Sequence, residues 1–143
     1  MAATRVDDDE HVVRFVKPKD LRRDEDGNVI GVNATAFQLR EGEGYLSASC
    51  LEVADPEKMA ALKVLKGIYT KQFSKVQKYV FSVGRAGDVR TVCARKSSVR
   101  ILKENSKWNP AYAVVRQFPD DDWEIKEQLA SQYWADWHHL SKL

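Results

Sequence analysis

Short runs of β-branched and aromatic residues, each cut off by Pro, Gly or Asp, constrain this chain more than any other feature. They are clearest between His11 and Glu52, HVVRFVKPKDLRRDEDGNVIGVNATAFQLREGEGYLSASCLE. His11–Val16 alternates, so a strand there puts His11, Val13 and Phe15 on one face and Val12, Arg14 and Val16 on the other. Pro18 has no N–H for a ladder and closes the run. Asp24-Glu25-Asp26-Gly27-Asn28 predicts a tight turn, with Gly27 free to take a positive φ. Val29-Ile30 opens a second run and Ala36-Phe37-Gln38-Leu39 is a third. In a fourth, Tyr45, Ser47, Ser49 and Leu51 face away from Leu46, Ala48 and Cys50.

The rest of the chain alternates helical and strand patterns. Asp55-Pro56 predicts a helix start, and Met59, Leu62, Leu65, Ile68, Tyr69 and Phe73 form a stripe at helical spacing. Val76–Val83 predicts a strand, Gly84-Arg85-Ala86-Gly87 a turn, and Asp88 a cap for a short helix over 89–95. Strands follow at 99–102 and 111–118. Ile125, Leu129, Tyr133, Trp137 and Leu140, widened by Trp123, Ala130 and Trp134, predict a last helix over about 122–140. The sum is an α+β fold: a mostly antiparallel sheet with two main helices packed on it. Residues 1–10 end in four consecutive acids and are expected to be a flexible tail, with 11–143 a single domain.

Composition removes several classes. Fourteen aromatic residues, four of them Trp, set the chain apart from disordered sequences. No apolar run approaches the ~20 residues that span a bilayer, and nothing resembles a secretory signal, so a cytoplasmic protein without membrane contact is expected. Cys50 and Cys93 have no C-x-x-C spacing and read as thiols. No metal site is expected: two of the three His adjoin each other at 138 and 139, and the stretch similar to a calcium loop, Asp24-x-Asp26-x-Asn28, has Val29 where that loop needs Gly. The two serines lie outside any Gly-x-Ser-x-Gly elbow, and no phosphate-loop or dinucleotide glycine pattern is present.

Charge is the strongest compositional signal. Residues 1–57 hold seven Lys/Arg against thirteen Asp/Glu, residues 58–118 fourteen against two, and residues 119–143 two against six. A block of +12 between acidic flanks either attracts a polyanion or is neutralised by those flanks in the fold. The candidate anion contacts are Lys71, Lys75, Lys78, Arg85, Arg90, Arg95, Lys96 and Arg100, with Trp108 beside Lys107 as a stacking platform. Gly84-Arg85-Ala86-Gly87 resembles the G-x-x-G loop of KH nucleic-acid-binding domains, which implies backbone amides aimed at phosphate, although Arg90 stands at an aliphatic position of that pattern.

His11, Arg14, Arg22, Arg23, Ser47 and Ser49 form the other polar constellation. An Arg on a first strand followed by Ser-x-Ser on a later one resembles the layout of ADP-ribosyltransferases. That resemblance implies NAD as cosubstrate, Arg14 or His11 as its contact, Ser47 and Ser49 bracing the site, and Glu124 or Glu127 as the catalytic acid. A further resemblance, carried by HVVRFV, AFQLR, YLSAS and NPAYAVV, is to uncharacterised bacterial proteins of the kind found among mobile-element and phage-defence genes, toxins included; it transfers no activity. Three readings stand together. The first is a non-catalytic module binding a nucleic acid or nucleotide through the basic segment. The second is an NAD-consuming enzyme, and the third a subunit that docks on a protein through its Trp-bearing C-terminal helix.

Overall fold

The alternating runs assemble into one sheet, and the computed structural model describes residues 4–143. Its strands are β1 (Thr4–Arg5), β2 (His11–Val16), β3 (Leu21–Arg23), β4 (Val29–Val32), β5 (Tyr45–Cys50), β6 (Val80–Arg85), β7 (Arg100–Lys103), β8 (Tyr112–Arg116) and β9 (Asp136–His139). Seven of them form an antiparallel sheet in the order β1-β7-β8-β5-β2-β6-β9, while β3 and β4 make a separate hairpin. The helices are α1 (Leu51–Ala54), α2 (Lys58–Gln72), α3 (Ala86–Cys93) and α4 (Trp123–Gln128). This is the α+β single domain expected from the pattern. No helix among the described residues is long and apolar enough to cross a membrane.

Period-two alternation gives the sheet two apolar faces, and a core forms on each. Val12, Val16, Leu46, Ala48, Val80 and Ile101 pack under α3, α4 and Phe37. Val13, Phe81, Val83 and Ala111 pack under Ala61, Leu62, Leu65 and Tyr69 of α2. The α2 start lies later than Asp55-Pro56 predicts. Asp55 holds the Glu57 amide at 2.9 Å, and the Glu57 carboxylate caps the helix by accepting from the Met59 and Ala60 amides. Met59, the first residue of the expected stripe, is left 40% exposed.

Several local expectations change because a tertiary partner overrides local propensity. Ala34–Phe37 is a 3-10 turn rather than a strand, and it delivers Phe37 into the core. Lys75 adopts a left-handed φ of 57° ahead of a 3-10 turn, so the strand expected from Val76 begins at Val80. Residues 4–10 of the acidic tail are built into the domain. Thr4 and Arg5 pair with β7, Val6 is fully buried, and Asp8 binds Arg90.

The largest correction is at the C-terminus. The helix expected over 122–140 stops at Gln128, passes through one wide turn at Leu129–Tyr133, and returns as β9 on the open edge of β6. Trp134 decides this. Its indole N–H donates to the Ser82 carbonyl at 2.9 Å, its own carbonyl accepts from Ser82 Oγ at 2.6 Å, and its ring is fully buried beside Phe37. A continuous helix would leave β6 as a bare edge.

Both margins of the sheet rely on carboxylates. Burial pushes the Glu10 carboxyl up, but the Asp7 amide and Lys103 outweigh it and hold it below its ordinary 4.5. Asp136 on β9 is likewise pushed up by burial and held below 3.8 by Lys58 and His138. Depressed folded values mean that these pairs stabilise the fold fully above the ordinary values and lose that contribution as pH falls through the folded ones. The melting temperature is therefore expected to stay level from neutral pH down to about 4.5 and to drop below it. Lys103→Met should shrink the drop, as melts across that range would show.

Candidate anion-binding cleft at the fork of the sheet

The site arises where two strands part. β2 pairs with β5 only at Val12–Cys50 and Val13–Ser49. Beyond that point β2 continues along β6 as far as Val16–Val80, and β5 continues along β8 as far as Tyr45–Arg116. Arg14 is the next residue of β2, and its side chain fills the opening. Nε–H donates to the Ala36 carbonyl at 2.8 Å, and Nη1–H donates to the Ser47 carbonyl at 2.6 Å, with Ser47 Oγ at 3.3 Å. Side-chain donors thus replace the missing ladder, because carbonyls at a split sheet need partners as much as those inside one.

What Arg14 lacks is a directly bonded counter-charge; Glu43 and Asp20 favour its charged form only from a distance. Among the described residues it forms no salt bridge, and Nη2 makes no hydrogen bond to protein. Burial pulls its pKa down from 12.5 to about 10, so the guanidinium still carries its charge at neutral pH. A desolvated cation without a bonded acid is a costly thing for a fold to hold.

Arg14 and Ser47 line one cleft of about 520 Å³. Phe15, Tyr69, Phe73, Tyr79, Trp108 and Tyr112 give it an aromatic wall. Phe15 stacks on Tyr79 with centroids 4.6 Å apart, and Trp108 stands edge-on to Tyr69 at 5.3 Å. Lys17, Lys19 and Arg40 add positive charge at the mouth, against Asp20 and Glu43. Both acids are engaged locally: Asp20 accepts from Thr35 Oγ1 at 3.0 Å, and Glu43 accepts from the Arg40 amide at 3.2 Å.

Of the four residues expected to form a catalytic site, only Arg14 and Ser47 meet. Ser49 is buried one step deeper, where its hydroxyl bonds Tyr69 OH and accepts from Asn109 Nδ2, each at 2.9 Å. His11 lies at the opposite end of β2, its backbone and ring nitrogens held by Glu52 at 2.8 and 2.7 Å. Glu124 and Glu127 sit on α4 near Arg95 and Trp123, away from the fork. The constellation implied by the ADP-ribosyltransferase resemblance is not assembled. Burial also raises the Cys50 thiol to about 11 and the Cys93 thiol to about 12, which leaves both as poor nucleophiles.

The basic segment divides. Arg85, Arg90, Arg95 and Lys96 lie on the α3 side and meet acids: Asp88 at 3.1 Å, Asp8 at 2.6 Å, Glu124 at 3.9 Å and Asp121 at 3.7 Å. Three of those four acids come from the flanking blocks, so this half is neutralised in space. Arg100 is exposed on β7, opposite Arg116. Lys71, Lys75 and Lys78 are exposed on the α2 side, in the connection that carries Phe73 and Tyr79 to the cleft.

The stretch similar to a KH loop does other work. Gly84 is the penultimate residue of β6, and the first-turn amides of Ala86 and Gly87 donate to the Glu10 and Asp8 carbonyls at 2.8 and 2.9 Å. Of the four Trp, Trp134 is buried and Trp137 half-buried on a strand, so the expected aromatic helix face is reduced to Trp123, 52% exposed, and Tyr133, 37% exposed. Metal ligands are expected nowhere, yet Glu10, Cys50 and Glu52 gather within 4.8 Å of one another. Lys103 and His11 already satisfy the two carboxylates. Sequence reading misses this group, and it misses the aromatic wall, whose members are scattered from Phe15 to Tyr112.

Compared with protein-family models, curated proteins and solved structures, the chain matches none. The functional reading of the cleft therefore rests on its geometry.

Proposed function

We propose that this domain is a binding module for a nucleotide unit, a phosphate joined to a planar base, held in the cleft at the fork of the sheet. The observation that supports it is Arg14: a desolvated guanidinium fixed by two carbonyls, with Nη2 unbonded and no acid in salt-bridge contact, Asp20 and Glu43 acting on it only from a distance. An anion at Nη2 supplies the bonded counter-charge through charge-assisted hydrogen bonds. The aromatic wall offers a base the π-faces and edges on which planar rings settle. A volume of about 520 Å³ falls in the range of small-ligand sites. The proposal takes its cations from Arg14, Lys17, Lys19 and Arg40 of the acidic N-terminal block, which line the cleft, and not from the eight cations expected of the basic middle segment, none of which lines it.

Calorimetric titration with nucleoside monophosphates at low salt tests it. One saturable site that is lost in Arg14→Gln is the expected result. Heat that is absent in the parent protein, or unchanged by Arg14→Gln, removes the cleft from consideration.

A further inference from the structure

The cations around the cleft outnumber what one phosphate needs. Arg14 has only Nη2 left for a ligand, enough for one phosphate, because its Nε and Nη1 hydrogens are engaged by Ala36 and Ser47. Lys71, Lys75 and Lys78 nevertheless stand exposed on the chain segment that forms the cleft wall at Phe73 and Tyr79. None of the three forms a salt bridge among the described residues, whereas four of the five remaining cations of the expected anion-binding set do. The three do not line the cleft itself but lie on the segment next to it, and leaving like charges unpaired along one segment costs self-repulsion that a row of phosphates would relieve.

We infer, building on the nucleotide reading above, that the ligand is a single-stranded nucleic acid: one unstacked nucleotide enters the cleft, and its neighbours' phosphates run along the Lys71–Lys75–Lys78 rim. Single strands fit because the cleft offers a base an aromatic wall in place of its stacked neighbours. A duplex keeps its bases stacked and paired, so it presents phosphates to the rim without filling the cleft. Lys71, Lys75 and Lys78 then set affinity and salt dependence, while Arg14 and the wall hold the nucleotide that is read.

Fluorescence anisotropy separates this from capture of a free nucleotide. The probes are labelled oligothymidylate and oligouridylate of about ten nucleotides, near the site size of single-strand binders. A blunt duplex of equal length and the matching unlabelled monophosphates serve as competitors. The expected result is that at least one single strand binds about tenfold or more tighter than its monophosphate, and tighter than the duplex. In the triple variant Lys71→Ser, Lys75→Ser, Lys78→Ser that advantage should vanish. The slope of log affinity against log salt should shrink by about 2, at roughly 0.7 for each single-strand phosphate that the variant leaves unneutralised. Monophosphate binding should be unchanged, which also shows that the variant is folded. Single strands binding no tighter than the monophosphate, a duplex binding as well as a single strand, or a triple variant with undiminished strand affinity would each overturn the inference while leaving the nucleotide reading intact. Absence of binding by every probe would overturn both.

Discussion

Trp134→Ala is expected to cost about 3–5 kcal/mol of folding stability, in the range found for deleting a large aromatic from a packed core. Trp134 is fully buried, sits 5.0 Å from Phe37 between ring centroids, and ties α4 to β6 through both hydrogen bonds with Ser82. Losing the ring removes the anchor that turns the chain back into β9. Gly84→Ala probes the same packing from the other side. A Cβ there would come within 2.7 Å of the Tyr133 carbonyl oxygen and 2.9 Å of Trp134 Cα, both backbone atoms that cannot swing aside. Overpacking of this kind costs about 1–3 kcal/mol. Since both changes disturb one junction, their combination should cost less than the sum of the two. Urea unfolding of the two single variants and the double variant measures this. Additive costs would show that Gly84 and Trp134 act separately.

Arg14→Met is expected to weaken nucleotide binding about 10–100-fold, the equivalent of one hydrogen bond to a charged group. Its effect on folding should be far smaller than that of Trp134→Ala. Met fills similar length without charge, so the fold loses the donors to Ala36 and Ser47 but no longer desolvates a cation. These terms oppose each other. Titration calorimetry and chemical unfolding on the same variant therefore separate a binding role from a structural one. A large loss of stability with unchanged affinity would make Arg14 a strut of the fork and nothing more. Arg14→Lys adds a sharper comparison: it keeps the charge, but an ammonium has no planar fork to span Ala36 and Ser47 while still presenting a donor to the cleft.

Arg14 also shows how far the site was legible. A charged residue in mid-run, on the face shared by Val12 and Val16, marks itself as unusual from alternation alone. Pairing it with Ser47 rests on a family resemblance, and at the fork the two meet because Arg14 Nη1 donates to the Ser47 carbonyl. Ser49 carries the same pattern and ends in a buried network with Tyr69 and Asn109. Nothing in Ser-x-Ser distinguishes the two, since the difference lies in how far β5 stays beside β2. The +12 segment illustrates the same boundary. Its existence is a matter of counting, but which of its cations remain free depends on where Asp8, Asp121 and Glu124 arrive from blocks distant in sequence.

By itself the sequence determined what short-range physics controls: the alternating strands on either side of the fork, the turn at Asp24–Asn28, the helical stripe of Leu62, Leu65 and Tyr69, and the exclusion of a long apolar span. Tertiary structure alone decided the fate of the C-terminal stripe. Ile125 and Leu129 follow helical spacing into the core, but Trp134 is fully buried against Phe37 and bonded to Ser82 where the chain turns back towards β6. Only the folded sheet decided the fork as well. A strand's periodicity specifies which way its side chains face, whereas the point at which two neighbours part depends on what else competes for their backbone groups. Here an arginine side chain supplies those bonds and keeps its remaining charge for the cleft.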